Sequence, residues 1–275
     1  MKWIKKNITT VLLVLILLTG LSLLLYPTVS DYWNSFHQSR AIASYAESVA
    51  NMDDGLYEKM LQEAKEYNQE LIGHSNHWFF SEEEKEEYEG ILNISGTGIM
   101  GYIEIPKIKV SLPIYHGVDE GILQIAIGHI EGTSLPVGGE GTHCVVSGHR
   151  GLPSAKLFSD LDKMVEGDTF MMRVLDETLT YEVDQILIVE PEDVSALEFE
   201  KGKDLCTLVT CTPYGINSHR LLVRGHRIAN LEDASSIRVT ADAQQIDPVL
   251  VAPAVAVPIL LLLFIWMMIY YRKRR

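Results

Sequence analysis

Two long apolar segments, one close to each end of the chain, constrain the fold more than any other feature of the sequence. Residues 8–26 contain no charged side chain over 19 positions, and residues 249–271 contain none over 23. About 20 consecutive apolar residues are enough to cross the hydrocarbon core of a bilayer. We therefore expect two transmembrane helices with a separate domain between them. A cleaved signal peptide is the alternative for the first segment, because both begin with basic residues followed by an apolar run.

The charges beside these segments predict how the chain is oriented. Three lysines at positions 2, 5 and 6 precede the first segment, and four basic residues at 272–275 follow the second. The positive-inside rule then places both termini in the cytoplasm and residues 27–247 outside, as in a multi-pass protein of the cell membrane. All 37 acidic residues of the chain, whose net charge is -14, fall in this outside region. An acidic surface repels phosphate backbones, so nucleic acid is not expected as a partner.

The outside region divides into a helical part and a β-rich part. Apolar residues at three- and four-residue spacing between positions 33 and 72 predict helices, interrupted by Asp-Asp-Gly at 53–55. Ser81 and Glu84 have the pattern of a capping box, which predicts that another short helix begins there. The expected organisation is a basic tail (1–7), an anchor or signal (8–26), a helical stalk with a possible lid (27–94), a β-rich domain (95–228), a linker (229–248), a second transmembrane helix (249–271) and a basic tail (272–275).

Short apolar segments separated by Gly, Pro, Asn and Asp follow from residue 99 onwards. Segments of this kind are typical of strands, and many short strands with few helices favour a barrel or a sandwich. The predicted strands are 102–105, 110–114, 144–146, 170–174, 179–183, 185–189, 205–211 and 221–224. The expected fold class is therefore mainly β.

Three residues in this region have the properties of a catalytic set. Cys211 ends an apolar strand, where a side chain can reach a cleft while the sheet holds it in place. A thiol attacks a carbonyl as the thiolate, so it needs a base or a cation nearby. His149, between Gly148 and Arg150, offers a base that can also protonate a leaving amine. Arg220 precedes the next strand across one loop and can donate to an oxyanion, so we expect it at the same rim as Cys211.

The other cysteines and the histidines have simpler interpretations. Cys144 and Cys206 lie within apolar strands and are interpreted as small buried side chains. A disulfide between Cys206 and Cys211 is not expected, because residues five apart in a strand point to opposite faces. The nine histidines show no zinc-ligand spacing, so neither a metal nor another cofactor is expected. Spacing alone leaves open whether Cys211 is a nucleophile or one more buried side chain.

Several motifs resemble one protein family, in the order in which that family has them. Residues 207–211, Thr-Leu-Val-Thr-Cys, resemble the Thr-Leu-x-Thr-Cys signature of sortases, and residues 210–225 are similar to the class C, pilus-assembling branch. Further stretches similar to that branch are 101–108, 113–117, 132–139 and 147–153. The resemblance covers residues 95–228 and implies a closed eight-stranded β-barrel with short helices.

The resemblance also implies a reaction. Sortases cut a Leu-Pro-x-Thr-Gly-like sorting signal between Thr and Gly, hold the Thr as a thioester and pass it to an amine, which in class C is typically a pilin lysine. The matching positions are Cys211 as nucleophile, His149 as acid and base, and Arg220 as oxyanion stabiliser. The expected partners are the sorting signals of pilins or surface proteins, an acceptor lysine or cell-wall peptide amine, and the membrane.

One departure from the class C pattern concerns the lid that often covers the catalytic cleft. That lid carries an Asp-Pro-aromatic motif, whereas the Asp-Pro of this chain is Asp247-Pro248, far from the expected region. Trp78, Phe79 and Phe80 are the candidates for a substitute, and an open cleft is the alternative.

Three other functions compete with pilin polymerisation. A sortase that attaches surface proteins to the cell-wall peptide would use the same nucleophile with a different acceptor amine. A papain-like protease fits less well, since such enzymes place the Cys before the His and at the start of a helix. A membrane-tethered scaffold that only binds peptides is the non-enzymatic alternative.

Overall fold

The computed structural model of the chain describes residues 7–74, 77–78 and 81–230. The predicted second transmembrane helix, the C-terminal basic tail and nearly all of the predicted linker lie outside these residues. Contacts divide the described part into two units, residues 7–29 and residues 30–230.

The first unit consists of the beginning of helix α1, which runs from Ile8 to Ala50 and includes Pro27. Among the described residues, α1 is the helix that is long and apolar enough to cross a membrane, and the apolar part of it is unburied. The expectation of an N-terminal apolar helix is therefore confirmed.

Two further helices begin where the sequence places capping residues. Helix α2 spans Asp54–Gly73, and the carboxylate of Asp53 accepts a hydrogen bond of 2.8 Å from the backbone N–H of Gly55. Helix α3 spans Glu82–Gly90 and begins with the predicted capping box between Ser81 and Glu84. Such caps satisfy N–H groups that the first helical turn leaves free. A fourth, single-turn helix, α4, spans Glu120–Leu123.

Eight strands close into one barrel, as expected. They are β1 (Ile99–Ile105), β2 (Val110–His116), β3 (Ile127–His129), β4 (His143–Ser147), β5 (Thr169–Val174), β6 (Glu177–Val189), β7 (Leu205–Thr212) and β8 (His219–Ile228). Around the barrel the order is β1-β2-β3-β4-β7-β8-β6-β5, and β5 pairs with β1 to complete the ring. The pairs β2/β3 and β4/β7 are parallel, and the remaining pairs are antiparallel. Closure leaves no strand edge unpaired.

Two strands differ from the prediction. The predicted strands 179–183 and 185–189 are one strand, β6, because the register with β8 shifts between Val183 and Gln185 without interrupting the pairing. The polar residue Asp184 at this bulge was wrongly interpreted as a break between strands. Strand β3 was not predicted at all, since its three residues are too few to show an alternating pattern.

The inside of the barrel is a continuous apolar core, and the helices of the second unit are tied to it by buried polar groups. Tyr45 of α1 donates a hydrogen bond of 3.0 Å to the carbonyl of Met100, and its hydroxyl accepts one of 2.8 Å from the N–H of Leu175. Asn68 of α2 bonds both the N–H and the C=O of Leu135, at 2.7 and 3.0 Å. These bonds fix how the helices pack, because leaving a buried polar group unpaired costs more free energy than a hydrogen bond contributes to stability.

His143 at the start of β4 is a structural histidine. Its ring is fully buried, and its two nitrogens lie 2.9 Å from the carbonyl of Glu198 and 2.7 Å from the hydroxyl of Thr207. Burial lowers the pKa of His143 below its ordinary value, an effect that the bond to the Glu198 carbonyl opposes. The neutral ring thus holds the segment between β6 and β7 against β4.

This burial predicts a specific acid sensitivity. The unfolded chain binds the proton near pH 6.5 and the folded chain only at lower pH, so stability is complete above about pH 7 and falls as the pH drops through 6.5. We expect the free energy of unfolding, measured by urea titration, to decline less steeply between pH 7 and 5 in His143→Asn than in the parent. The exposed helix residue His37 is the control, and His37→Asn should keep the parent slope. Equal slopes in all three proteins would contradict a neutral buried His143.

Candidate active site

Cys211 and Arg220 face each other across the β7–β8 hairpin. They are register partners, one step from the pair Thr212/His219 that ends the ladder. Along β7, Leu208 packs in the barrel interior and Val209 on the outside, so Cys211 shares the outer face with Val209 because side chains alternate. The sequence expectation that both residues lie at one rim agrees with this register.

A second apolar cluster covers the outer face of the strands near that rim. Its buried members are Val145, Leu197, Val209 and Leu222, and we call them the outer patch. Leu197 belongs to the segment between β6 and β7, so the outer patch lies between that segment and the sheet. An extended peptide with apolar side chains could be bound along it, ending beside Cys211.

The loop after β4 holds His149 against β7. The N–H of Gly148 donates a hydrogen bond of 3.0 Å to the carbonyl of Val209, and the hydroxyl of Thr210 donates one of 2.8 Å to the carbonyl of Gly148. The carbonyl of His149 accepts a bond from the N–H of Phe158 at 3.1 Å. A Cβ at position 148 would lie 2.8 Å from side-chain atoms of Ile127 and Phe158, so glycine is required for this close approach.

Glu120 at the start of α4 is the acidic partner of His149. Its Oε2 lies 3.7 Å from His149 Nε2. The hydrogen bond from Gln124 and then the nearby His149 lower the pKa of Glu120. The carboxylate can orient the imidazole. Sequence reasoning missed Glu120, because nothing local in the sequence links it to a histidine in another loop.

The two arginines on the outer face of β8 have different surroundings. Arg224 is fully engaged, with bonds of 3.0 and 3.1 Å to Asp184 and one of 2.7 Å to Glu200. Arg220 donates from Nη1 to the carbonyls of His219 and Asn217, at 3.2 and 3.4 Å. Within residues 7–74, 77–78 and 81–230, the Nε and Nη2 donors of Arg220 have no acceptor, so they are free to bind an oxygen.

The three predicted catalytic residues are brought together to different degrees. Cys211 and Arg220 are adjacent through the hairpin, and His149 is held beside the same end of β7 by the bonds of Gly148. In the part of the chain that the structure describes, no hydrogen bond joins the Cys211 thiol to the His149 ring. Such bonds are often longer in a free enzyme than in its complex with substrate.

The remaining cysteines are enclosed in the barrel. Cys144 and Cys206 are buried, as interpreted from the sequence, and they are register partners across the parallel strands β4 and β7. The sequence did not show this pairing. Burial raises the pKa of Cys206 well above its ordinary value, which keeps this thiol protonated and unreactive. Cys211 is only partly buried and is the most accessible of the three thiols.

One of the three candidate lid residues can be placed. Trp78 packs against the outer patch, and its Nε1–H donates to Glu198 at 3.4 Å. Its neighbour His77 is buried between the carbonyl of Gly132, at 2.7 Å, and the carboxylate of Glu198, at 3.3 Å. Phe79 and Phe80 lie outside the described residues. The aromatic segment therefore meets the same apolar surface that leads to Cys211.

Comparison with known proteins identifies a related family. The sortase domain family matches residues 103–228. Sortase D of Bacillus subtilis (strain 168) is 30% identical over 131 residues, which cover 46% of this chain and 63% of that protein. The chain thus spans less than two thirds of the length of this relative.

Two solved structures are more similar to this chain in sequence than the Bacillus subtilis sortase D is. Sortase C1 of Streptococcus agalactiae is 54% identical with a TM-score of 0.68, over 70% of this chain and 100% of that one. A sortase C of Streptococcus pneumoniae, described for its catalysis and pilin substrate specificity, is 46% identical with a TM-score of 0.62, over 70% of this chain and 97% of that one. The chain belongs to the sortase family.

Proposed function

We propose that this protein is a cysteine transpeptidase that joins a sorting signal to an amine. The observation that carries the proposal is the pairing of Cys211 with Arg220 at an accessible rim to which Gly148 also ties the His149 loop. A partly exposed thiol, a base and a cation with free donors are the groups that acyl transfer requires. A scaffold that only binds peptides has no need of this arrangement.

Cys211, Arg220 and His149 each have a defined role in the proposed reaction. The Cys211 thiolate attacks the carbonyl carbon of Thr in a Leu-Pro-x-Thr-Gly-like signal, and free N–H groups of Arg220 stabilise the oxyanion. His149 gives a proton to the departing glycine amine, and the C–N bond breaks to leave a thioester. An acceptor amine then attacks the thioester, the C–S bond breaks, and His149 removes the proton from the new amide nitrogen.

The acceptor in this proposal is a lysine of a pilin subunit, so that repeated transfer polymerises a pilus. The support is the similarity to sortases C, one of them described for pilin substrate specificity. Attachment of surface proteins to the cell-wall peptide is the second candidate, because sortases named A also match this chain. The two functions differ only in the amine that resolves the thioester.

We also propose that the enzyme is membrane-anchored, with both termini in the cytoplasm and the barrel outside. The support is the apolar part of α1 together with the basic residues at both chain ends. In this arrangement the barrel is held near the bilayer, which raises its effective concentration towards substrates that are themselves membrane-held.

The segment containing Trp78 is the candidate lid. It lies against the outer patch, to which a sorting signal would bind, and Glu198 holds both Trp78 and His77 there. A bound signal would then have to displace the indole from the outer patch or lie beside it.

The nucleophile is tested by Cys211→Ala. We expect no transfer of a Leu-Pro-x-Thr-Gly peptide to an amine, measured by mass spectrometry of the products, with an unchanged unfolding midpoint because Cys211 lies at the rim. Cys144→Ala and Cys206→Ala are the matched controls and should retain transfer with a lower unfolding midpoint, since each leaves a gap in the core. Transfer by Cys211→Ala at the parent rate would refute the proposed mechanism.

The oxyanion role is tested by Arg220→Lys, which keeps the charge and loses the planar set of donors. We expect the transfer rate to fall about 10²-fold, the effect of removing one oxyanion donor. Arg224→Lys is the control on the same face. It weakens the contacts with Asp184 and Glu200 and should lower the unfolding midpoint while retaining the rate. A normal rate in Arg220→Lys means that another group stabilises the oxyanion.

A further inference from the structure

A cavity of about 450 Å³ lies on the other side of the β7–β8 hairpin from the outer patch. Its walls come from the loop after β4, the end of β6, the end of β7 with its turn, and β8. Several lining residues also belong to the barrel interior. Arg150, next to His149, lines one side, and Thr212 and Pro213, the two residues after Cys211, line another. The cavity therefore adjoins the catalytic residues without overlapping the outer patch.

Arg150, which lines this cavity, has an unpaired donor. Its side chain is only 9% exposed and forms an ion pair through Nη2 with Asp162, while its guanidinium carbon lies 5.6 Å from the centroid of the Tyr214 ring. Its Nε is buried and, among the described residues, has no hydrogen-bond partner. A buried donor without an acceptor is costly, so this atom is a candidate contact for a ligand.

The surroundings of Arg150 indicate what kind of ligand fits. Asp162 already neutralises the guanidinium charge, which disfavours a phosphate or a carboxylate and favours a neutral carbonyl oxygen. Most of the lining is apolar, and the large side chains of Ile188 and Tyr214 remain exposed at its mouth. A carbonyl acceptor beside an apolar side chain describes a peptide segment.

Three carboxylates, one lining the cavity and two beside His149 and His219, favour a cationic peptide. Glu120 beside His149, Asp162 beside Arg150, and Glu190, 3.2 Å from His219, are all substantially exposed. An array of acidic groups attracts a lysine ammonium and steers it towards the site. The buried members of the outer patch are all apolar.

We infer that this cavity is the docking site of the acceptor, that is, of the protein segment whose lysine resolves the Cys211 thioester. The inference rests on the proposed transpeptidase function. An apolar side chain next to the lysine fills the cavity, and a backbone carbonyl accepts the hydrogen bond from Arg150 Nε. The amine then approaches the thioester from the His149 side. Its nitrogen bonds to the acyl carbon, the C–S bond breaks, and the amine proton passes through His149 as the thiolate of Cys211 leaves.

The test separates acceptor docking from thioester chemistry. The donor is a Leu-Pro-x-Thr-Gly peptide, and the thioester is resolved by one of two probes, acetyl-Leu-Lys-methylamide or hydroxylamine, which is too small to need docking. In Arg150→Lys the ion pair with Asp162 can persist, but the Nε donor is lost. We expect kcat/KM for the lysine probe to fall about tenfold because KM rises while kcat is unchanged. The rate of the hydroxylamine reaction should stay the same. The parent should also prefer acetyl-Leu-Lys-methylamide to acetyl-Gly-Lys-methylamide.

Arg227→Lys is the matched control. Arg227 also lies over a tyrosine ring, 5.9 Å from the centroid of Tyr181, and beside an aspartate, Asp204, but it is not among the residues that line the cavity. The Arg227→Lys variant should carry out both reactions at the parent rate. Ile188→Gln, with Val165→Gln as its exposed control, tests the apolar mouth in the same way, and the Ile188 change should raise KM for the lysine probe only.

Each result bears on one claim. Unchanged KM for the lysine probe in both Arg150→Lys and Ile188→Gln overturns the docking site, and so does an equal loss with both probes. A parent protein that consumes the donor but shows no preference between the Leu and Gly probes also counts against it. A parent protein that forms no thioester overturns the transpeptidase function itself and the docking site with it.

Discussion

The pairing of β7 with strands on both sides is the constraint on which the site depends. On one side β7 runs parallel to β4, and on the other it runs antiparallel to β8. The first pairing places the loop of His149 beside the end of β7, and the second places Arg220 opposite Cys211. A shift of one residue in either register would move side chains to the opposite face of the sheet and separate the groups.

Closure of the barrel is what makes this pairing rigid. Every strand has two neighbours, and the interior is filled by a single apolar core, so β7 cannot slide without disrupting both. Because side chains alternate between the two faces of β7, its two cysteines lie in different environments. Cys206 faces inward beside Cys144, where burial suppresses its ionisation, while Cys211 faces outward at the rim. One strand therefore carries an inert and an accessible thiol five residues apart.

The sequence was informative where a local pattern decides the structure. The caps at Asp53 and Ser81 and seven of the eight strands have clear local signals, and the motif around Cys211 resembles that of a known family. The three-residue strand β3 and the bulge at Asp184 lacked such signals. Glu120 beside His149 and the pairing of Cys144 with Cys206 depend on contacts between segments that are distant in the chain. The cavity at Arg150 likewise arises from four separate segments, so no sequence pattern marks it.

The central claim is that Cys211 forms an acyl-enzyme with a sorting signal. Incubation of the protein with a Leu-Pro-x-Thr-Gly peptide in the absence of any acceptor amine, followed by acid quenching and intact mass spectrometry with peptide mapping, tests it most directly. The account predicts an adduct with the mass of the acyl fragment ending in Thr, located on Cys211 and removed by hydroxylamine. An adduct on Cys144 or Cys206, or cleavage of the peptide without an adduct at any quench time, would contradict it.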